Sequence, residues 1–293
     1  MDAIRTENLT KTYGKHRGIT QLNLEVPQGA FFGFIGPNGA GKSTTIRTLL
    51  GLLTPTSGSG EVLGLPIGKE RETILRWTGY LPSEAVFYPG MRVKEVLKLS
   101  GSLRGRNCTG EAGKLCERLR LDPARRVDEL SFGNRKKLGI VCALQHDPEL
   151  LILDEPTSGL DPLMQREFFQ ILKERNRQGT TVFLSTHVLS EIQRSCTQAA
   201  ILREGKIIAC DSVENLSKTN ARRISLRGRF DERGLSGIRD LNRREDSVSF
   251  LYSGSMNPLL SRLAAGNVMD LTISEPDLEE VFLHYYSEGG GAQ

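Results

Sequence analysis

Apolar positions in this chain fall into two rhythms that alternate up to about residue 215. Short runs, Phe31 to Ile35, Leu150 to Leu153 and Thr181 to Leu184, have the length and composition of strands buried in a sheet interior. Between them lie stretches at helical spacing. Ile46, Leu49, Leu50 and Leu53 stand at i, i+3, i+4 and i+7, and Met164, Phe168, Ile171 and Leu172 form a second apolar side. Ile201-Leu202 and Ile207-Ile208, joined across Glu204-Gly205-Lys206, predict a hairpin. Strand and helix in alternation predict an α/β fold on a mostly parallel sheet.

Two regions break the alternation. At about 84–145 the pattern turns helical and basic, with thirteen Lys and Arg against six Asp and Glu from Arg92 to Lys137. A solvated helical surface accounts for that charge, and a face held near an anionic membrane or an acidic partner would also use it. Ser102 to Lys114, rich in glycine, arginine and polar residues, is expected to be a loop between two helices. After about Asn215, Ile224-Ser225-Leu226 and Val248-Ser249-Phe250-Leu251 alternate and predict short strands. A closing helix is expected after Ser274-Glu275-Pro276-Asp277, with Leu278, Val281, Phe282 and Tyr285 at helical spacing. The chain thus divides into a main domain, 1–215, containing a helical subdomain, and a small α+β domain, 216–293, with a frayed tail from Gly289.

Composition narrows the function classes. A chain of 293 residues, 38% hydrophobic and 25% charged, can build a sizeable core. Its net charge of +4 is too mild to announce a nucleic-acid binder. No apolar run approaches the ~18–20 residues of a membrane span. The start, Met1-Asp2-Ala3-Ile4-Arg5, has no export signal and points to the cytosol. The five cysteines, Cys108, Cys116, Cys142, Cys196 and Cys210, contain no CxxC pair, which argues against a disulfide scaffold or structural zinc.

Chemistry enters with Gly36-Pro37-Asn38-Gly39-Ala40-Gly41-Lys42-Ser43, which fits G-x-x-x-x-G-K-[ST] at every fixed position. Glycines let the backbone curl round an anion with N–H groups inward, and the following helix adds the positive end of its dipole. Lys42 is expected to reach the β- and γ-phosphates and Ser43, followed by Thr44, to ligate Mg²⁺. The run sits between a predicted strand and a predicted helix, the context such a loop requires. A second constellation is Leu150-Leu151-Ile152-Leu153-Asp154-Glu155, an apolar strand that delivers two carboxylates to the crevice at the sheet's carboxyl edge. Asp154 is placed to hold Mg²⁺ or its water, and Glu155 to polarise an attacking water.

The order of phosphate loop, Leu130-Ser131-Phe132-Gly133-Asn134, acidic strand, Ser158-Gly159-Leu160-Asp161 and Ser185-Thr186-His187 resembles the ATPase subunit of ABC transporters over residues 1 to about 215. The resemblance implies a P-loop ATPase core of ABC type with ATP and Mg²⁺ as its ligands. It implies that Tyr13 stacks on adenine, that Ser131 and the backbone of Gly133 cap the γ-phosphate held by a second subunit, and that Asp161 links the two sites. His187 takes the role of the switch histidine at the γ-phosphate. The family closes head to tail on two ATPs and drives a separate transmembrane permease, which would place this chain in the cytoplasm on the inner face of the membrane, without nucleic acid. The tail around Ser274 to Phe282 resembles that of bacterial drug, antibiotic-peptide and lipid export ATPases.

The chain departs from the family at two places. Phe132 and Asn134 stand where the signature usually has glycine and glutamine, though Ser131 and Gly133 remain. After Tyr80-Leu81-Pro82, where the family usually has a glutamine sensing Mg²⁺ and water, stand Ser83 and Glu84, either of which could bind the metal. Three readings follow: an active subunit of an exporter, a partly degenerate regulatory subunit beside an active partner, and a soluble ABC protein acting on DNA or ribosomes. The 89 positions from Lys42 to Ser131 leave no room for the long coiled coils of chromosome-associated members, and a single cassette is unlike translation-linked ones.

Overall fold

The chain opens with β1 (Asp2–Tyr13) and β2 (His16–Pro27), then β3 (Phe31–Ile35), α1 (Lys42–Leu49), β4 (Ser57–Val62) and the short β5 (Leu65–Pro66). Four of these strands form an antiparallel sheet in the order β2-β1-β4-β5. Its alternation is that of a half-buried sheet: Ile4, Leu22, Leu24 and Val26 are buried, while Arg5, Glu7 and Glu25 face water. The computed structural model describes residues 1–14, 16–217, 221–244 and 246–275, and contacts divide the chain into two compact units, Met1–Val213 and Glu214–Gln293.

The first unit continues through α2 (Arg71–Trp77), β6 (Thr78–Leu81), α3 (Val93–Ser102), α4 (Thr109–Arg118) and α5 (Phe132–Leu144). It ends with β7 (Leu150–Asp154), α6 (Pro162–Arg177), β8 (Thr181–Thr186), α7 (Leu189–Ser195), β9 (Gln198–Arg203) and β10 (Lys206–Ser212). Six strands make the central sheet, β10-β9-β3-β8-β7-β6; its internal pairs are parallel and β10 returns antiparallel at the edge. Every residue of β3, β7 and β8 is buried, which is why their sequences show runs rather than alternation. The Phe183 ring stacks on Phe32 at 5.9 Å and tilts against Phe34 at 5.2 Å. Ile46, Leu49 and Leu50 are fully buried in a core shared with β1 and β2, each such side chain contributing about 1.5–3 kcal/mol. The β9–β10 hairpin pairs Leu202 with Ile207 across Glu204 and Gly205, whose φ values of 49° and 77° are those of the primed turns that match strand twist.

The basic region is helical as expected, but one expectation is corrected. Thr109 to Lys114 is not loop; it forms the first turns of α4. The Asn107 side chain accepts from the Thr109 N–H at 3.2 Å and its hydroxyl at 2.8 Å, starting the helix. Ala112, Leu115, Cys116 and Leu119 then bury one face. Gly110 and Gly113 hide this helix from the sequence: a Cβ at either would meet open space, so neither marks a turn.

α8 (Val213–Ser217) spans the division between units. The second unit holds β11 (Arg222–Arg229), β12 (Ile238–Arg244), β13 (Ser247–Tyr252), α9 (Met256–Ala265) and β14 (Asn267–Ser274). Its antiparallel sheet, β12-β13-β11-β14, shares with α9 a core that includes Ile224, Leu226, Phe230, Val248, Phe250, Leu259 and Leu263. The strands expected near 224 and 248 are β11 and β13; β12, α9 and β14 are additional to that expectation. The closing helix at Leu278, Val281, Phe282 and Tyr285 and the tail from Gly289 lie outside the described residues. Among the described residues no helix is long and apolar enough to cross a membrane.

Candidate active site

The strand order puts β3, β8 and β7 side by side, so their carboxyl ends converge on one crevice. From β3 the chain enters the loop Gly36 to Gly41, with Pro37, Asn38 and Gly39 exposed and Ala40 buried. Gly36 needs its missing side chain: a Cβ there would stand 2.6 Å from the Leu202 carbonyl oxygen and 2.9 Å from Ala40 Cβ. Gly41 caps α1 at φ 108°, a backbone that residues with a Cβ avoid. The Lys42 ammonium curls back over the loop, donating to the carbonyls of Gly36 at 2.6 Å and Pro37 at 3.2 Å. Ser43 and Thr44 follow on the first turn of the helix.

The acidic strand supplies the opposite wall. Ser43 Oγ donates to Asp154 Oδ2 at 2.7 Å, and Ser185 Oγ, from the end of β8, donates to Oδ1 at 3.1 Å. Asp154 is 1% exposed, so its carboxylate is fixed from both sides. Glu155 leaves the strand with φ 48°, a strained left-handed backbone, while its N–H bonds to the Ser185 carbonyl at 2.9 Å. One carboxylate oxygen lies 3.2 Å from Lys42 Nζ, an ion pair without hydrogen-bond alignment; the other lies 2.8 Å from His187 Nδ1. Lys42, Ser43, Asp154, Glu155 and His187 are therefore one cluster assembled from β3–α1, β7 and β8.

The other sequence candidates form separate groups. Ser131 caps α5, accepting from the Asn134 N–H at 3.3 Å. A Cβ on Gly133 would come within 2.6 Å of the Gly159 carbonyl oxygen, and the Phe132 ring covers Gly159 itself, at φ 79°. Asp161 caps α6 by accepting from the N–H groups of Leu163 and Met164, each at 3.0 Å. Tyr13 ends β1, 43% exposed, with Lys11 Nζ 5.5 Å from its ring centre. Ser83 follows β6 and is half-buried; Glu84 is exposed.

Sequence reasoning missed two participants. Ser185, the second donor to Asp154, could have been suspected from its place two residues before His187. Lys136 could not: it reads as part of the basic run Arg135-Lys136-Lys137, yet it is 2% exposed, and its Nζ donates to the carbonyls of Ser83 at 2.8 Å and Pro82 at 3.2 Å. Burial pushes its ammonium down to about 8, against the opposing pull of Asp154 and Glu155.

A glycine-lined loop between strand and helix, faced by a buried aspartate and a lysine-paired glutamate, defines a P-loop nucleoside triphosphatase. The chain belongs to the ABC transporter family as one of its ATP-binding subunits, with residues 19–158 matching the family described as ABC transporter. It is 35% identical over 305 residues to the bacitracin transport ATP-binding protein BcrA of Bacillus licheniformis, covering 98% of each chain. A solved ATP-binding subunit of an ABC transporter superposes with a TM-score of 0.70 at 30% identity, covering 73% of this chain and 91% of the other. A dimeric ATP-binding cassette, solved in a post-hydrolysis state with ADP and Pi, shares the fold at 24% identity and a TM-score of 0.65, over 72% and 98% of the two chains.

Proposed function

We propose that this subunit hydrolyses ATP at the Lys42–Asp154–Glu155–His187 cluster, paired head to tail with a second ATPase subunit, to drive export through a separate transmembrane permease. The observation that carries the reading is Glu155: its carboxylate is gripped at one oxygen by His187 and faces Lys42 with the other, which accepts no hydrogen bond. That oxygen is enclosed beside Lys42; a γ-phosphate that drew the Lys42 ammonium to itself would open it to a hydrogen bond from the attacking water. His187, half exposed, is free to turn toward the same phosphate.

The donor set fits Mg²⁺. The protein offers Ser43 Oγ and Asp154 Oδ2 already 2.7 Å apart, and this ion usually takes few protein oxygens and fills its other positions with phosphates and water. When bound it neutralises charge on the phosphates. Ser185 keeps Asp154 oriented for it. Ser83 and Glu84 are assigned to the edge of this metal and water site, Tyr13 to the adenine, and Ser131, Gly133 and Asp161 to the nucleotide and subunit across the dimer. The Glu155–His187 contact favours an active subunit over a regulatory one.

Export is supported by the bacitracin transport relative, and a compound of antibiotic type is the proposed cargo class. The subunit would then sit on the cytoplasmic face of the membrane, with the unit from Glu214 onward as an accessory domain. Purification from detergent-solubilised membranes tests the whole reading. Magnesium-dependent ATP hydrolysis in a complex with a multi-span polypeptide is expected; absence of any magnesium-dependent ATP affinity in that preparation overturns it.

A further inference from the structure

Lys136 lies on α5, five residues after Ser131, with its side chain 2% exposed. An ammonium is costly to bury unless acceptors meet its protons and negative charge lies near. Its two acceptors, the carbonyls of Pro82 and Ser83, are neutral backbone atoms. The negative charge that favours its ionised form is that of Asp154 and Glu155. An uncharged side chain of similar length would occupy the same place without the desolvation cost, so a lysine here points to a use for the charge. The segment it grips carries Ser83 and leads to Glu84, the residues assigned above to the edge of the metal and water site.

We infer that Lys136 is a positioning residue of the hydrolysis site: its ammonium pins the Pro82–Ser83 backbone to the helix capped by Ser131. The inference rests on the ATPase reading above. Ser131, the cap of α5, is assigned to the nucleotide on the second subunit, while the pinned turn serves the nucleotide on this one. One rigid helix then ties the geometry of the two sites together.

The test uses full-length protein, complexed with its membrane partner, as wild type, Lys136→Met and Lys136→Arg. ATP-dependent phosphate release gives kcat and KM, and hydrogen–deuterium exchange reads the backbone amides of 83–87. Lys136→Met keeps the length of the stem and removes the donors; it should lower kcat about tenfold, leave KM for ATP within about twofold, and speed exchange in 83–87. Lys136→Arg, which retains charge and donors, should recover most of both. Wild-type kcat and wild-type exchange in Lys136→Met overturn the proposal. So does a loss of ATP affinity and melting temperature that arginine fails to rescue, which is how a purely structural residue behaves. Should Lys136→Met not fold, Lys136→Gln replaces it under the same outcomes. If the wild-type complex itself releases no phosphate, the ATPase reading fails, and the exchange comparison still decides whether Lys136 holds the turn.

Discussion

The hydroxyl of Ser43 donates to Oδ2 of Asp154 over 2.7 Å, joining residues 111 positions apart in the chain. With Ser185 on the other oxygen, the carboxylate is held from both sides, as its proposed part in binding Mg²⁺ requires. Asp154→Asn preserves shape and removes charge, and should reduce magnesium-dependent phosphate release by at least about 10²-fold. Ser43→Ala leaves the carboxylate held by Ser185 and should cost about 10–100-fold, with a higher magnesium concentration needed for half-maximal rate. Titrating magnesium against both variants checks this; an unchanged half-saturation in both would place the metal elsewhere.

Glu155 is proposed to polarise the attacking water, and its variant should separate binding from hydrolysis. Glu155→Gln keeps the size of the side chain but cannot accept a proton from water. Hydrolysis should fall about 10²–10⁴-fold while ATP still binds. Losing the negative charge also relaxes the grip on Lys42, which lies 3.2 Å away, and releases that ammonium to the nucleotide. The ATP-bound form of this variant should therefore persist as a dimer, visible by light scattering of the purified complex or subunit. Wild-type turnover would remove Glu155 from the mechanism.

What the sequence discloses and what it conceals divide along a physical line. The loop from Gly36 to Ser43 is legible because its requirement is local: Gly41 must sit at φ 108° and Gly36 must clear the Leu202 carbonyl, so few residue types can replace them. β7 is legible because burial on both faces forces a continuous apolar run that only its final residue, Asp154, interrupts. β12 is different. It is an edge strand, exposed along nearly its whole length and interrupted by Asp240 at φ 48°, so no alternation survives to betray it. Lys136 is concealed for a third reason: adjacent lysines and arginines look alike until the packing of α5 turns one inward and leaves Arg135 exposed.

Phe132, at the place of a family glycine, makes its own prediction. Its ring lies against Gly159, so a Cβ there meets both a ring and a left-handed backbone at φ 79°. Gly159→Ala should destabilise the first unit by about 1–3 kcal/mol from overpacking and about 1 kcal/mol from backbone strain. In a Phe132→Gly background only the strain should remain. Chemical denaturation of the four proteins of this cycle measures the coupling. A zero coupling energy would mean that the ring moves aside freely and does not link the signature to the loop at Gly159.

His146 should make the first unit acid-sensitive. The imidazole is 2% exposed, and burial, reinforced by the positive charges of Arg104 and Arg106, pushes it down to about 3. Arg106 also donates to the His146 carbonyl at 2.5 Å and lies over the Trp77 ring, 4.9 Å from its centre. In the unfolded chain the same group titrates near its ordinary value of about 6.5. Above that pH both states are neutral and the stability is fully present. Below it the unfolded chain takes up a proton that the folded chain refuses, and stability drains away as pH falls toward about 3. At pH 5 the loss from this group alone is about 2 kcal/mol. His146→Gln cannot titrate, so the stability difference between variant and wild type should shift by that amount between pH 7.5 and pH 5, in favour of the variant. Urea denaturation followed by the fluorescence of Trp77, the single tryptophan, reads the transition beside the histidine. A difference that stays constant with pH would show that His146 takes up its proton as readily in the folded protein as in the unfolded chain.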